Sequence, residues 1–481
     1  MPDDVKTPPT KEQPQASDAL SGQSSGTAAA SEPSDITPFA DTEFIPGESD
    51  GMAVPAKRVS RLARFGAMGA GVAGNMIVDG AKRIARGERP ALNDLLLTPS
   101  NAQKVADQLS QLRGAAMKMG QLISMDSGDF IPPELADILG RLRQSAHSMP
   151  PAQLKSVLDR NWGRGWLGKF ESFDPKPIAA ASIGQVHRAK TKDGRDLAVK
   201  IQYPGVRDSI ESDVDNVAAL LKVARLTPDD VDITPLLAEA KRQLQEEADY
   251  EREGAHLQRY KDLLGASEDF ILPEVYSDLT TKDVLAMSYV SGTPIEHLTD
   301  RPQEERDRVV SVLMTLMVRE IYEFRLMQTD PNFANYFYDE PTGKIVLLDF
   351  GATREIPEKL SNGYKSLAVC TFKQDWRGAR ETAADMGLAG PEHEPEIETL
   401  LEEVFRLAME PVLHEGPFDF GNTDLAVRLR DKGLALRTGG FVHVPPPATV
   451  FFHRKFGGSH LLATKLKARV DLGAIVRAGL E

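Results

Sequence analysis

Across 481 residues the chain has a single cysteine, Cys370, so it forms no internal disulfide and a reducing compartment is expected. Cys370 is expected to fill core rather than to act as a nucleophile. The chain lacks any continuous apolar run of the eighteen or so residues that a membrane span takes, so no bilayer crossing is expected. Positive charge is also in deficit. A net charge of −14 and a pI near 5.3 argue against general binding to nucleic acid. Residues 1–50 hold two lysines, no arginine and no apolar core, which fits neither an Arg-rich mitochondrial presequence nor a secretory signal. A cytoplasmic, bacterial location is the expectation. The same stretch is rich in Pro, Ser, Ala, Asp and Glu, and residues 1–55 read as a disordered acidic and polar tail. What remains is an ordinary composition, 41% hydrophobic and 27% charged, in a chain long enough for two lobes with separate cores.

Residues 56–168 divide into a basic Gly-rich segment and a helical extension. Lys57, Arg58, Arg61, Arg64, Lys82, Arg83, Arg86 and Arg89 flank the run FGAMGAGVAGNMIV, which is too short to span a bilayer. Its two readings are a surface for anionic lipid and a connector packed on the protein. A helix follows, with Thr98 as cap, Pro99 in the first turn, and Val105, Leu109, Leu112, Ala116, Met119 and Leu122 as its buried stripe. Lys118 and Gln121 stand one turn apart beside that stripe; by spacing alone they are surface residues. From about Phe170 the texture is mixed. QVHRAK and DLAVKIQ, joined through Asp193 and Gly194, predict a hairpin, and a long helix is predicted from Pro235 to about Leu264. VLAMSYVSG predicts a strand running into a connector, 304–326 a mainly buried helix, and YFYD with KIVLLDF a second hairpin around Pro-Thr-Gly. Beyond Gly351 the chain reads as helical to its end.

The motifs that carry chemistry lie across this change of texture. DFG alone is a weak signal, but here Asp349 ends the apolar strand LLDFG nineteen residues after Asp330 in TDPNFAN, and Asp330 and Asn335 stand five apart. That is the spacing of a kinase catalytic loop. Magnesium takes hard oxygen ligands, so the Asp349 carboxylate and the Asn335 amide oxygen suit a metal bound to nucleotide phosphates, with Asp330 facing the phosphoryl acceptor. Lys200, inside LAVKIQ, is costly among apolar neighbours unless it meets a phosphate or a carboxylate. That carboxylate is expected from EEADYERE, where Glu246, Glu247, Glu251 and Glu253 all qualify by type. The order of these elements predicts an α+β, bilobal protein-kinase-like fold, with an N-lobe over residues 169–292 and a mainly helical C-lobe over 293–481. The glycines that usually cover phosphate are missing: IAAASIGQV has Ala179, Ala180 and Ala181 instead, a poor nucleotide loop on its own. No lysine follows Asp330 by two positions to steady a transferring phosphoryl group, and no A-P-E closes a peptide-binding segment, which argues against protein phosphorylation.

As a set, KMGQ (Lys118 to Gln121), AAAS (Ala179 to Ser182), AVK ending at Lys200, EEADYEREGA, MQTDPNFAN and LLDFGATRE resemble the UbiB family, also called AarF or ADCK, of atypical kinases. The resemblance covers roughly residues 95–470. It implies ATP or ADP as ligand with Mg2+ or Mn2+, Lys200 on the phosphates and Glu253 as its helix partner. It further implies that Ala179, Ala180, Ala181 and Ser182 form the Ala-rich substitute loop that tunes nucleotide preference. Glu247 and Asp249 become an E-x-D pair meeting Lys118 and Gln121, which belong to a lid where a protein substrate would sit. Gln328 in place of His and Asn332-Phe333-Ala334 in place of His-Pro-Gly resemble the mitochondrial coenzyme Q branch. The implied role is an ATPase-like kinase supporting ubiquinone biosynthesis, peripheral on the inner membrane, with prenylated quinone precursors, membrane lipid and quinone-biosynthesis enzymes as partners and a homodimer allowed. Phosphotransfer to a small molecule, with Asp330 as base, and a nucleotide-binding scaffold are the competing readings. FFHRKFGGSHLLATKLKA reads as C-lobe core, with a lipid-facing surface as its alternative.

Overall fold

The computed structural model describes residues 149–481, apart from 182, 224–233, 391–393, 442 and 444. The acidic tail, the basic Gly-rich segment and the KMGQ helix lie outside the described residues.

The first lobe is built on one antiparallel sheet. It is preceded by helix α1 (Pro151–Trp162) and contains β1 (Phe170–Phe173), β2 (Ala179–Ala180), β3 (Gly184–Thr191) and β4 (Asp196–Gln202). Helices α2 (Val206–Val223), α3 (Thr234–Glu247) and α4 (Tyr250–Leu264) follow, then β5 (Phe270–Ile271), which pairs into the sheet of the second lobe, and β6 (Val284–Ser288). Strand order is β1-β3-β4-β6, with β2 also on β3. Alternation along β4 sorts its side chains. Leu197, Val199 and Ile201 share a core with Leu154, Val157 and Leu158 of α1, whereas Ala198 joins the core that contains Leu257 and Tyr260 of α4. Lys200 lies on this second face. The expected hairpin is present, with Lys190 paired to Asp196 and Gly194 at φ 92°, the left-handed region that favours glycine.

The single helix expected from Pro235 to Leu264 is two helices. Asp249 leaves helical geometry at φ −114°, and its carboxylate caps α4 by accepting from the Arg252 amide at 3.1 Å. The carbonyl of Ala248 is freed by the break and accepts from the side chains of Gln202, at 3.0 Å, and Arg207. An aspartate in a charged helical run reads the same whether it caps or continues.

The second lobe contains β7 (Thr293–Pro294), α5 (Gln303–Arg319), a π-helical turn over Glu320–Phe324, and β8 (Leu326–Gln328). β9 (Tyr336–Asp339) and β10 (Lys344–Leu347) make the second hairpin, and β11 (Thr353–Glu355) pairs back to β8. The remainder is α6 (Glu358–Phe372), α7 (Trp376–Asp385), α8 (Pro395–Ala408), α9 (Glu410–Leu413), β12 (Phe418–Asp419), α10 (Leu425–Thr438), α11 (Pro447–Lys465), β13 (Arg469–Val470) and α12 (Leu472–Leu480). The helical expectation beyond Gly351 is thus corrected by three short strands, β11, β12 and β13. FFHRKFGGSH lies in α11, which is packed into the lobe through Phe451, Arg454, Lys455 and Leu462; Leu461 is exposed. Cys370 is half-buried against the cluster of Met317, Tyr364 and Met386.

Candidate functional site

The two lobes meet at Lys200. Helix α4 turns Tyr250, Glu253, Gly254, Leu257, Tyr260 and Leu264 inward at intervals of three and four, so a carboxylate sits within an otherwise apolar stripe. Glu253 accepts from Lys200 Nζ at 2.9 Å through Oε1 and at 3.0 Å through Oε2. Across the cleft, Asp349 Oδ2 is 3.4 Å from the same nitrogen. Lys200 is 9% exposed and Glu253 2%, while the Asp349 side chain is 40% exposed. Burial alone pushes Lys200 towards losing its proton, but the charges of Asp349 and Glu253 hold its affinity for the proton well above the ordinary lysine value. Burial drives the Glu253 carboxyl upward, against the pull of Lys200. The geometry assigns the lysine's partner among the four glutamates of EEADYERE. Glu246 and Glu247 belong to α3, and Glu251 is exposed.

The loop that bears Asp349 is fixed from several sides. Asp349 Oδ1 accepts from the Gly351 amide at 2.9 Å, Phe350 is buried against Tyr260, and Arg252 donates to the carbonyls of Gly351 at 3.2 Å and Thr353 at 3.0 Å. The loop bearing Asp330 is stitched to it. Thr329 Oγ1 donates to the Ala352 carbonyl at 2.6 Å, and the Leu348 amide donates to the Asn335 carbonyl at 3.1 Å. Asn335 Nδ2 donates to Asp330 Oδ2 at 3.4 Å, which turns the amide oxygen of Asn335 the other way. One carboxylate, one amide oxygen and an adjacent ammonium are what a magnesium nucleotide takes from a kinase-type site, since magnesium keeps water and phosphate in its remaining positions. The residues present fit that group.

Ala179 and Ala180 form β2, paired to Val186 and Gln185, and Ala181 exchanges backbone hydrogen bonds with Gly184. The Ala-rich run is therefore the tip of a tight hairpin whose return strand, β3, lies beside Lys200, with Val186 opposite it. Gly184 has no room for a side chain: a Cβ there would fall 2.4 Å from the Ile201 carbonyl oxygen and 2.8 Å from the Tyr250 hydroxyl. Glu247 ends α3 and Asp249 caps α4, so the pair flanks the helix break. Lys118, Gln121 and Ser182 lie outside the described residues.

Sequence reasoning missed two cations. Arg454 and Lys455 of α11 are both 5% exposed. Lys455 Nζ donates to Gln328 Oε1 at 3.0 Å and to the Tyr336 hydroxyl at 2.6 Å, while Glu320 Oε1 accepts from the Gln328 amide at 2.9 Å and from the Tyr260 hydroxyl at 2.7 Å. This network holds Gln328, the residue two before Asp330. Arg454 Nη2 is 3.8 Å from Asp330 Oδ1. The only sign of either in the sequence is the basic pair inside an apolar run.

The family model for the ABC1 atypical kinase-like domain matches residues 141–383. The chain belongs to the UbiB family of atypical kinases. This UbiB chain is 38% identical over 421 residues to the mitochondrial atypical kinase COQ8B of Danio rerio, covering 86% of this chain and 67% of that one. It is 37% identical over 427 residues to the mitochondrial atypical kinase COQ8 of Saccharomyces cerevisiae, covering 88% and 85%. Among solved structures, the complex of Rv3197 with erythromycin from Mycobacterium tuberculosis aligns with a TM-score of 0.54 at 24% identity, over 78% of this chain and 95% of that one, a likeness of fold. No helix among the described residues is long and apolar enough to cross a membrane.

Proposed function

We propose that this UbiB-family chain binds a magnesium nucleotide between its lobes and turns it over, in support of ubiquinone biosynthesis at a membrane surface. The observation that carries the reading is the Lys200 ammonium, held by Glu253 at 2.9 Å and by Asp349 at 3.4 Å, one partner from each lobe. In this reading Lys200 steadies the nucleotide phosphates and the Ala-rich hairpin of Ala179, Ala180, Ala181 and Ser182 covers them. Asp349 and Asn335 hold the metal, which supplies charge neutralisation on the phosphates. Asp330, 3.4 Å from Asn335 Nδ2, serves as the base towards the attacking oxygen. Glu247 and Asp249, at the helix break, meet Lys118 and Gln121 of the lid, which displaces a protein substrate. The quinone assignment is supported by relatives named COQ8, and the membrane surface by the basic Gly-rich segment.

Two measurements test this. Mg-ATP is expected to raise the melting temperature of the wild type and to leave Asp349→Asn unmoved; equal stabilisation of both removes the site assignment. Phosphate release is expected to rise with liposomes and a prenyl-phenol, and to vanish in Asp330→Asn. A stable phosphorylated phenol would instead establish transfer to a small molecule, and absence of turnover under every condition would reduce the protein to a nucleotide-binding scaffold.

A further inference from the structure

The catalytic loop lacks the lysine that kinase loops place two positions after the aspartate; Asn332 stands there. The fold brings a different cation to the same carboxylate. Helix α11 lies directly on the loop, because Gly458 lets it: a Cβ at that position would fall 2.2 Å from Cβ of Pro331. One turn back on the same helical face is Arg454. The Arg454 side chain is 3% exposed, and its contact with Asp330 Oδ1, at 3.8 Å, is longer than a hydrogen bond. Nε and Nη1 are buried without a hydrogen-bond partner among the described residues. A buried guanidinium left this way is costly unless something completes it. The shortfall is not a general property of the helix, because the adjacent Lys455 donates to both Gln328 and Tyr336.

We propose that Arg454 supplies, in cis, the positive charge that steadies the transferring phosphoryl group. This deepens the nucleotide reading above and rests on it. In the step, the oxygen of water bonds to the γ-phosphorus and Asp330 takes the proton. The bond from that phosphorus to the β,γ-bridging oxygen breaks, and ADP leaves with the electron pair. Negative charge spreads over the phosphoryl oxygens beside Asp330, and the unused guanidinium N–H groups of Arg454 donate to those oxygens. A planar fork of donors suits phosphoryl oxygens in a way a single ammonium does not. Asp330 thus does two things: it receives the proton, and at rest it keeps the arginine near without consuming its donors.

The test uses the full chain and two readouts, phosphate release from Mg-ATP and thermal stabilisation by Mg-ADP with and without fluoroaluminate. Arg454→Met is expected to lower release by ~1,000-fold or more, the low end of what an arginine finger contributes, with half-saturation by Mg-ATP changed less than about threefold. The extra stabilisation from fluoroaluminate should disappear, and added guanidinium ion should restore part of the turnover in Arg454→Met and none in Asp330→Asn. Arg454→Lys should fold and still lose about tenfold. Turnover within about threefold of wild type in Arg454→Met, or in Arg454→Lys should the first variant not fold, overturns the proposal. So does an equal loss of turnover and nucleotide affinity. A wild type that binds Mg-ATP yet neither releases phosphate nor gains from fluoroaluminate overturns the role of Arg454 and leaves the nucleotide site standing. Failure of Mg-ATP to bind at all removes both.

Discussion

Among the described residues each lobe buries one lysine with one glutamate, and the two pairs meet the same desolvation cost differently. In the first lobe Lys200 and Glu253 touch directly at 2.9 Å, and the lysine also faces Asp349, a side chain open to solvent. In the second lobe Lys455 and Glu320 stay 3.9 Å apart, and neutral groups do most of the bonding: Gln328 and Tyr336 for the lysine, Tyr260 and the Gln328 amide for the glutamate. A pair held mainly by neutral partners, one of them the Gln328 backbone amide, fixes a backbone. A pair that shares its cation with an exposed carboxylate has a side left for a ligand. A third buried group, His187, gives up the charge altogether: its Nδ1 donates to the Asp174 carbonyl at 2.8 Å and its Nε2 accepts from Gln185 at 2.7 Å, as a neutral ring allows.

The contrast can be broken in four ways, from the largest effect to the smallest. Lys455→Met should lower unfolding free energy by ~3–5 kcal/mol, the usual result of removing one member of a buried pair, with Mg-ATP affinity kept within about threefold. Denaturant melts and thermal shifts read both, and a large loss of affinity with unchanged stability would reverse the assignment of the two pairs. His187 comes next. Burial lowers its proton affinity from 6.5 to about 4, so its contribution is present above pH 6.5 and is lost as pH falls towards 4, by ~3 kcal/mol at most. Parallel stability profiles for wild type and His187→Leu between pH 7 and 4 would contradict this.

Lys200→Met should cost about 100-fold in nucleotide affinity, roughly 2.7 kcal/mol, with little loss of fold near pH 5. Glu253, already raised to about 7, then has no ammonium to oppose burial. A carboxyl raised above its unfolded value keeps its contribution below pH 4.5 and loses it as pH rises, so this variant should weaken between pH 5 and 8 more steeply than wild type. Gly458→Ala, which sets a methyl against Pro331, should cost ~1–2 kcal/mol and slow turnover while leaving Mg-ATP binding intact.

How far the sequence speaks is itself uneven. The β3–β4 hairpin was legible because Asp193-Gly194 sits between two alternating runs, and the order of Lys200, Asp330, Asn335 and Asp349 was legible because those motifs are local. Glu253 was not singled out by spacing among four glutamates, yet the periodicity of Tyr250, Leu257, Tyr260 and Leu264 contains the answer: only Glu253 falls on that stripe. The break before α4 was hidden, because the Ala248 carbonyl it frees is satisfied by Gln202, 46 residues earlier. Arg454 and Lys455 were hidden for the same reason at longer range; Lys455 and Gln328 are 127 residues apart. Nothing in a neighbouring basic pair tells that both side chains turn inward.

The Arg252 bonds to the Gly351 and Thr353 carbonyls carry one more consequence. They rivet α4 to the loop that bears Asp349, and Glu253 and the Tyr260–Phe350 ring contact lie on the same seam. Helix and loop are therefore fastened at several points along one seam. Swinging the helix outward, a common way to idle an enzyme of this shape, would here tear out every fastener together. In this structure the latch is engaged, and opening it means giving up all of these contacts at once.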